Sequence, residues 1–311
     1  LYMAVELLYL TLPDRVLNLC MIEELEAHLH PQAQMRIIES LRKRSEMYGI
    51  QFILTTHSPN LASKVKLHEL IFCNANQALS LGDGLEKKNK KTEDSYTKLN
   101  RSDYQFLEHF LDVTKSNLFF AKGIIIVEGM SEELLIPVFA ELIGLNLTER
   151  EISIVNVGST AYLRYAKIFM RQSSNECFAI PIAIITDLDI KPEGSKYEYI
   201  KDQQELIKEK KTTKKEEIGS GPHDRIRLCM SELWTLEWCL FKTNCISYEF
   251  MEAVSEAHPR TPEFKGKKHE TTEKLEFDEM KFKAKLFDKL KDKSLDKVAI
   301  ANILALKLRS K

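Results

Sequence analysis

Short apolar runs alternate along this chain with longer segments of helical periodicity, and the alternation sets its organisation. Segments 16–22, 124–127, 152–157 and 182–186 are rich in Val, Ile and Leu, the pattern of parallel strands covered on both faces, and 52–56 reads as a further strand. Segment 225–230 returns to strand-like alternation. Between the first two strands, a helix is predicted over 31–48, opened by Pro31 and stopped by Gly49. After the 124–127 strand, Leu134, Leu135, Val138, Phe139, Leu142 and Ile143 recur at helical spacing and make one apolar face. Ser131 is expected to cap that helix, and Pro137 to kink it. A connecting helix is predicted over 103–114, a solvated helix within 191–217 and a core helix around ELWTLEWCLF at 232–241. Segment 249–294 reads as a charged helical flank whose partial apolar face includes Phe277, Phe282, Leu286 and Leu290, and a last helix begins at Lys297. Strands alternating with helices predict an α/β fold around a parallel sheet.

Two of the strands end in acids. Glu128 follows the 124–127 run, Gly129 allows a sharp turn, and Glu132 and Glu133 fall in the first turn of the next helix, where the macrodipole favours negative charge. Asp187 and Asp189 follow the 182–186 run. In an open parallel sheet the carboxyl ends of strands lie along one edge, so Glu128, Glu132, Asp187 and Asp189 are expected to converge there. Four carboxylates repel unless cations sit between them. All-oxygen ligation of this kind suits Mg²⁺ or Mn²⁺. The competing reading makes each acid a solvated cap or turn residue; Glu-Gly-x-x-Glu after one strand and Asp-x-Asp after another weigh against it.

Glu128 and the Asp187-Leu188-Asp189 triplet, with a strand at 152–157 between them and a Gly158-Ser159-Thr160 turn after it, resemble the Toprim domain of topoisomerases, primases and a group of nucleases. Glu132 and the upstream arrangement are similar to the overcoming-lysogenization-defect nucleases, which are related to the nuclease subunit of Gabija antiphage systems. The resemblance implies a Toprim (Rossmann-like) parallel sheet with a helical insertion. It implies two Mg²⁺ or Mn²⁺ ions held by Glu128, Glu132, Asp187, Asp189 and Glu237, the last matched through Thr235-Leu236-Glu237. It also implies a catalytic lysine at the head of the last helix, matched by Lys297, beside Glu128, Asp187 and Asp189. From the residues alone, Glu237 reads as an exposed acid on a core helix and Lys297 as a solvated helix end.

Upstream, the 16–22 strand ends in Glu23 and Glu24, and the 52–56 strand exits into His57-Ser58-Pro59. Strand with two acids, helix, and strand with Thr-His-Ser resembles the carboxyl-terminal lobe of an ABC-type ATPase. That likeness implies Glu23 as the Walker B acid on Mg²⁺, Glu24 as the residue polarising water, His57 as the switch histidine, and a D-loop over 26–31. Leu25 stands where proline is usual. His28 and His30 lack a nearby third ligand and read as helix-entry residues rather than a metal pair. No G-x-x-x-x-G-K-[ST] phosphate loop occurs, so this chain alone is expected not to hydrolyse ATP. The expected organisation is an ATPase part over 1–81, a linker and connecting helix over 82–117, and a Toprim nuclease domain over 118–311. Residue 1 is a leucine inside a helical pattern already under way, and the chain is expected to begin inside a longer protein.

The 311 residues, 44% hydrophobic and 29% charged, suffice for two globular domains. No apolar run approaches the roughly 20 residues of a membrane span and no signal peptide pattern opens the chain, so a cytoplasmic location away from membranes is expected. The six cysteines form no Cys-x-x-Cys pair, which argues against a zinc site. A net charge of −1 gives no global pull toward nucleic acid, so DNA contacts fall to local basic patches. Segment 82–94 carries four lysines with no interleaved aromatic and reads as a solvated loop, and segment 191–217, where lysines and acids are interspersed, reads as a solvated helix. The function implied is a metal-dependent DNA endonuclease, coupled to an ATPase using ATP and Mg²⁺ in the longer protein, acting in antiphage defence or DNA processing. Its expected partners are DNA, further copies of the chain as a homodimer or higher oligomer, and a helicase. The alternatives are a topoisomerase or primase-type Toprim protein, and a nucleotide-gated structural ATPase with a non-catalytic Toprim module.

Overall fold

The structure is a computed structural model that describes residues 18–74, 77–82, 97–158, 160–172, 177–218, 225–268 and 274–310. The helical pattern that opens the chain, the lysine-rich loop beyond Gly82 and Ser159 lie outside the described residues. The chain divides into two compact units, 1–120 with 171–173 and 121–170 with 174–311.

In the first unit, β1 (Leu19–Ile22) pairs in parallel with β2 (Gln51–Leu54), and α1 (Pro31–Tyr48) crosses between them. Gly49 closes α1 in the left-handed region at φ 64°, the conformation glycine adopts without a Cβ penalty. Leu25, Ile38, Leu41 and Leu61 form a small core under this unit. β1 departs from the fully buried strand that its composition suggests. Among the described residues its sheet has two strands, and Leu19 and Met21 stand 44% and 72% exposed on the face away from that core. A short helix α2 (Pro59–Ala62) and the antiparallel hairpin of β3 (Ile71–Asn74) and β4 (Gln77–Ser80) follow. The connecting helix is α3 (Arg101–Phe110), earlier and shorter than 103–114. Asn100 and Asp103 form a reciprocal capping box that fixes its start, and 115–119 turn as a 3₁₀ segment.

The second unit is built on four parallel strands, β5 (Gly123–Val127), β6 (Ile152–Asn156), β7 (Ile182–Thr186) and β8 (Ile226–Met230), in the order β6-β5-β7-β8. β5 and β7 are neighbours at the centre, with Val127 opposite Ile185. Helix α4 (Met130–Leu142) follows β5, and Pro137 lies inside it. Its N-cap is Gly129 rather than Ser131, because the helix begins two residues earlier than the cap pattern suggests and places Ser131 in the first turn. Leu142 and Ile143, expected on the apolar face, are 52% and 73% exposed where the helix runs out. Helix α5 (Tyr162–Lys167) follows β6. Residues 191–200 are not helical, and α6 (Lys201–Ile218) begins only at Lys201.

After β8 come α7 (Leu236–Lys242), α8 (Ser247–Ala257), the two-residue strands β9 (Lys267–Lys268) and β10 (Leu275–Glu276), α9 (Glu279–Lys291) and α10 (Lys297–Arg309). The segment expected to be a helical flank throughout 249–294 is thus interrupted by an antiparallel hairpin. Its core includes Trp238, Phe250, Phe264, Phe282, Ile300 and Leu304, each no more than 1% exposed. Burying side chains of this size holds the late helices against α4. No helix among the described residues is long and apolar enough to cross a membrane.

Candidate metal centre

Parallel pairing in register places the carboxyl ends of β5, β7 and β8 side by side, and the acids predicted from the sequence lie just beyond them. Thr186, the last residue of β7, donates its hydroxyl to Glu128 Oε1 and ties the ends of the two central strands together. Burial, with Asp189 and Glu132 acting through space, pushes the Glu128 carboxyl up from its ordinary value against the hold of Thr186. Glu132 sits three residues past the N-cap, and its carboxylate folds back over Gly129. A Cβ built at residue 129 would lie 2.9 Å from Glu132 Oε2. Gly129 leaves room for the Glu132 carboxylate, which a side chain at 129 would push aside, and its own backbone is extended at φ −147° rather than left-handed. Burial first, and then Glu237, push Glu132 up as well.

The Asp187-Leu188-Asp189 turn is pinned from four directions. Leu188 is fully buried, and its N–H donates to Ser231 Oγ at 2.8 Å. Ser231 N–H donates to Thr186 O at 2.9 Å, and Asp189 N–H donates to Trp234 O at 2.9 Å. Lys210, reaching in from α6, donates Nζ to Leu188 O at 2.6 Å. Asp189 occupies the left-handed region at φ 55°, which a short polar side chain tolerates better than most. Asp187 is pushed up to about 8, by burial first and then by Glu237. Lys297 opposes that rise, whereas Glu132 and Asp189 add to it.

Glu237 is not the exposed acid of a core helix. It lies in the first turn of α7, where Thr235 caps the helix by accepting from Trp238 N–H, and it is 2% exposed. Lys297 Nζ lies 2.8 Å from Glu237 Oε2. That ion pair is the contact Glu237 makes at its carboxylate, whose oxygens find no further hydrogen-bond partner among the described residues. Nor is Lys297 a merely solvated helix end. It stands at the first position of α10, just after the Asp296 cap, where the macrodipole disfavours a cation. Burial acts to lower the Lys297 ammonium, yet the facing Glu237, Asp187 and Glu132 hold it above its ordinary value.

Glu128, Glu132, Asp187, Asp189 and Glu237 thus act on one another through space, with Lys297 and Lys210 as the cations that reach them. Among the described residues, no three His, Cys, Asp or Glu side chains stand close enough together to hold an ion as placed. The donor set nevertheless fits a hard divalent cation. A buried carboxylate whose partner among the described residues is one lysine, beside an aspartate raised by burial and then by the charge of its acidic neighbours, is a cluster short of positive charge. Lys210 was hidden in the sequence, since its helix reads as solvated throughout; its one signal is membership of an α6 segment directly downstream of the Asp-x-Asp turn.

In the first unit, Glu23 and Glu24 follow β1 and are exposed. Glu24 is left-handed at φ 46°, and its N–H donates to Thr55 Oγ1 at 3.0 Å. Leu25 N–H donates to Thr55 O at 3.3 Å, a bond that a proline in its place could not make. The residue that organises this edge is one given no separate role in the sequence reading. Glu26 accepts from Thr56 Oγ1 and from the His57 N–H, both at 2.6 Å, and so sets the backbone at His57. His30 caps α1 through Nδ1, which accepts from Gln32 N–H at 3.3 Å.

Residues 119–189 match the family described as overcoming lysogenization defect protein-like, TOPRIM domain. Residues 6–63 match an AAA domain described as a putative AbiEii toxin of a type IV toxin–antitoxin system. Endonuclease GajA of Bacillus cereus (strain HuB5-5) is 30% identical over 224 residues, covering 64% of this chain and 30% of that protein. The chain therefore spans less than a third of the length of this relative. Among solved structures, the C-terminal region of the Xanthomonas campestris pv. campestris OLD protein covers 60% of this chain and 86% of its own, at 21% identity and a TM-score of 0.38. The corresponding region of the Burkholderia pseudomallei OLD protein covers 60% and 88%, at 22% identity and a TM-score of 0.35.

Proposed function

Residues 119–189 being a Toprim domain of the overcoming lysogenization defect protein-like family, we propose that the second unit is the nuclease part of a metal-dependent DNA endonuclease, joined to the ATPase-like part upstream. The observation that carries this reading is Glu237, a buried carboxylate met by Lys297 and by no further hydrogen-bond partner among the described residues, beside the raised Asp187. The name of the 30% identical relative, an endonuclease, points the same way.

Glu128, Glu132, Asp187, Asp189 and Glu237 are the oxygen ligands for two Mg²⁺ or Mn²⁺ ions. When bound, such ions lower the pKa of an attacking water and stabilise a leaving oxygen. Thr186 donates to Glu128 and holds it in place, and a hydrogen bond that orients a metal-binding carboxylate is typically worth about 10- to 100-fold in metal affinity. Lys210, Ser231 and the Trp234 carbonyl fix the Asp187-Leu188-Asp189 turn. Lys297, at the head of α10 and paired with Glu237, would supply the positive charge that neutralises charge developing on the scissile phosphate. Glu23, Glu24 and His57 serve ATP and Mg²⁺ in the longer protein, with Glu26 positioning His57.

The test is incubation of the chain with supercoiled plasmid and Mn²⁺, beside Asp187→Ala. Nicked circles from wild type and none from the variant are expected. Relaxed closed circles would assign a topoisomerase instead, and untouched plasmid would leave the Toprim unit as a non-catalytic module.

A further inference from the structure

Beside the acidic edge lies a cavity of about 540 Å³ whose wall includes Glu132, Asp187, Leu233, Leu236 and, at the end of α7, Lys242. The Lys242 ammonium lies 5.8 Å from the ring centroid of Trp238. A second ammonium, that of Lys283 on α9, lies 5.1 Å from the ring of Tyr197, and the Tyr197 and Trp238 rings are 6.1 Å apart. The two lysines are close enough that burial, and then Lys242 itself, hold Lys283 below its ordinary value. Among the described residues neither has a carboxylate within ion-pair distance, and Lys283 donates instead to Lys196 O at 2.9 Å. Glu198 attracts Lys283 through space, and Glu232 stands in the cavity wall.

Two neighbouring cations with no ion-paired acid repel each other, and an anion between them would turn that repulsion into binding. We propose that Lys242 and Lys283 form a phosphate-binding subsite for the nucleic-acid strand that enters the acidic edge through this cavity. The inference rests on the nuclease reading and adds to it where the strand lies. The ligand is a backbone phosphate rather than a base, because Trp238 is 1% exposed and offers no stacking face. A phosphate contact positions a strand without reading its sequence. Lys242 lines the cavity itself, Lys283 stands beside Lys242, and the Trp238 and Tyr197 rings under the two ammonium groups help to hold them in place.

The experiment measures fluorescence anisotropy of a labelled DNA duplex of about 20 base pairs with Ca²⁺, at salt concentrations between about 50 and 200 mM. The proteins are wild type, Lys242→Gln/Lys283→Gln, Lys242→Arg/Lys283→Arg, the single Lys242→Gln, and Lys122→Gln. Lys122 pairs with Glu151 at the opposite end of the sheet and serves as a control for general charge. Loss of two phosphate contacts should make the slope of log affinity against log salt shallower by about 1.4 to 1.8, and Lys242→Gln alone by about half of that. The arginine pair should restore the slope, and Lys122→Gln should match wild type. A wild-type slope in the glutamine variants, or an equal loss in Lys122→Gln, overturns the subsite while leaving the nuclease reading intact. No DNA binding by wild type overturns both.

Discussion

Lys297 and Glu237 come from the first turns of two different helices and meet at 2.8 Å, one 41% exposed and the other 3% exposed at the side chain. Each is poorly placed without the other. Glu237 without Lys297 is a buried carboxylate lacking a hydrogen-bond donor, and Lys297 without Glu237 is a cation at the positive end of a helix. Breaking a fully buried pair costs about 3–5 kcal/mol, but water reaches Lys297, so Lys297→Met should destabilise the metal-free chain by only about 1–2 kcal/mol. A double-mutant cycle with Glu237→Gln should return a coupling of about 1 kcal/mol. Saturating Mg²⁺ should shrink the Lys297→Met deficit, because a bound cation supplies the missing charge. Nicking should fall by about 10²-fold or more in the same variant. A stability deficit that is identical with and without Mg²⁺ would detach this pair from the metal centre.

Asp187 ties stability to pH with a definite sign. Its carboxyl is raised from 3.8 to about 8, so between these values the folded chain binds a proton that the unfolded chain has released. Stability of the metal-free protein should therefore fall as pH rises from about 4 to 8, and the raised Glu128 and Glu132 add to the same slope. Asp187→Asn should flatten that fall. Cation binding needs the charged form, so Mn²⁺ affinity should increase over the same range with release of protons, read by calorimetry in two buffers of different ionisation enthalpy. Proton-independent Mn²⁺ binding by wild type between pH 6 and about 8 would refute this assignment.

The legible part of the site was the part that strand ends determine. Glu128, Asp187 and Asp189 follow continuous apolar runs, and a parallel sheet places such residues on one edge whatever the rest of the chain does. Glu237 and Lys297 were reachable only through a likeness of motif, because local pattern alone reads them as an exposed acid and a solvated end. What overrides that reading is tertiary: α7 and α10 bring their first turns together. Lys210 carried no signal of its own, since a lysine in a polar helix looks the same whether its ammonium meets water or Leu188 O. The β9–β10 hairpin was illegible for another reason. Two-residue strands in a charged segment leave no periodicity to read. The exposed face of β1 shows the converse limit, that an apolar run announces a wish for cover and not its extent.

At the other candidate edge, Glu26 is the residue to change. It is partly buried, which acts to raise its carboxyl, but the bonds from Thr56 Oγ1 and the His57 N–H outweigh burial and hold it below 4.5. A depressed carboxyl stabilises the folded state above its unfolded pKa, and that contribution is lost as pH falls through the folded value. Glu26→Gln keeps one oxygen acceptor but loses the charge, and should weaken the local structure by about 1 kcal/mol near neutral pH. The chain has two units and need not unfold in one step, so a local readout serves better than a melting curve. Hydrogen exchange of the His57 amide, expressed as a protection factor, should be about fivefold lower in Glu26→Gln at pH 7, and the difference should narrow at acid pH as the wild-type carboxyl is protonated, below the ordinary carboxylate range. Thr56→Val, which removes one donor and leaves the carboxylate on His57, should fall between the two. Equal His57 protection in all three proteins at pH 7 would mean that the backbone at His57 is held by the β2 strand alone, and that Glu26 does not position it.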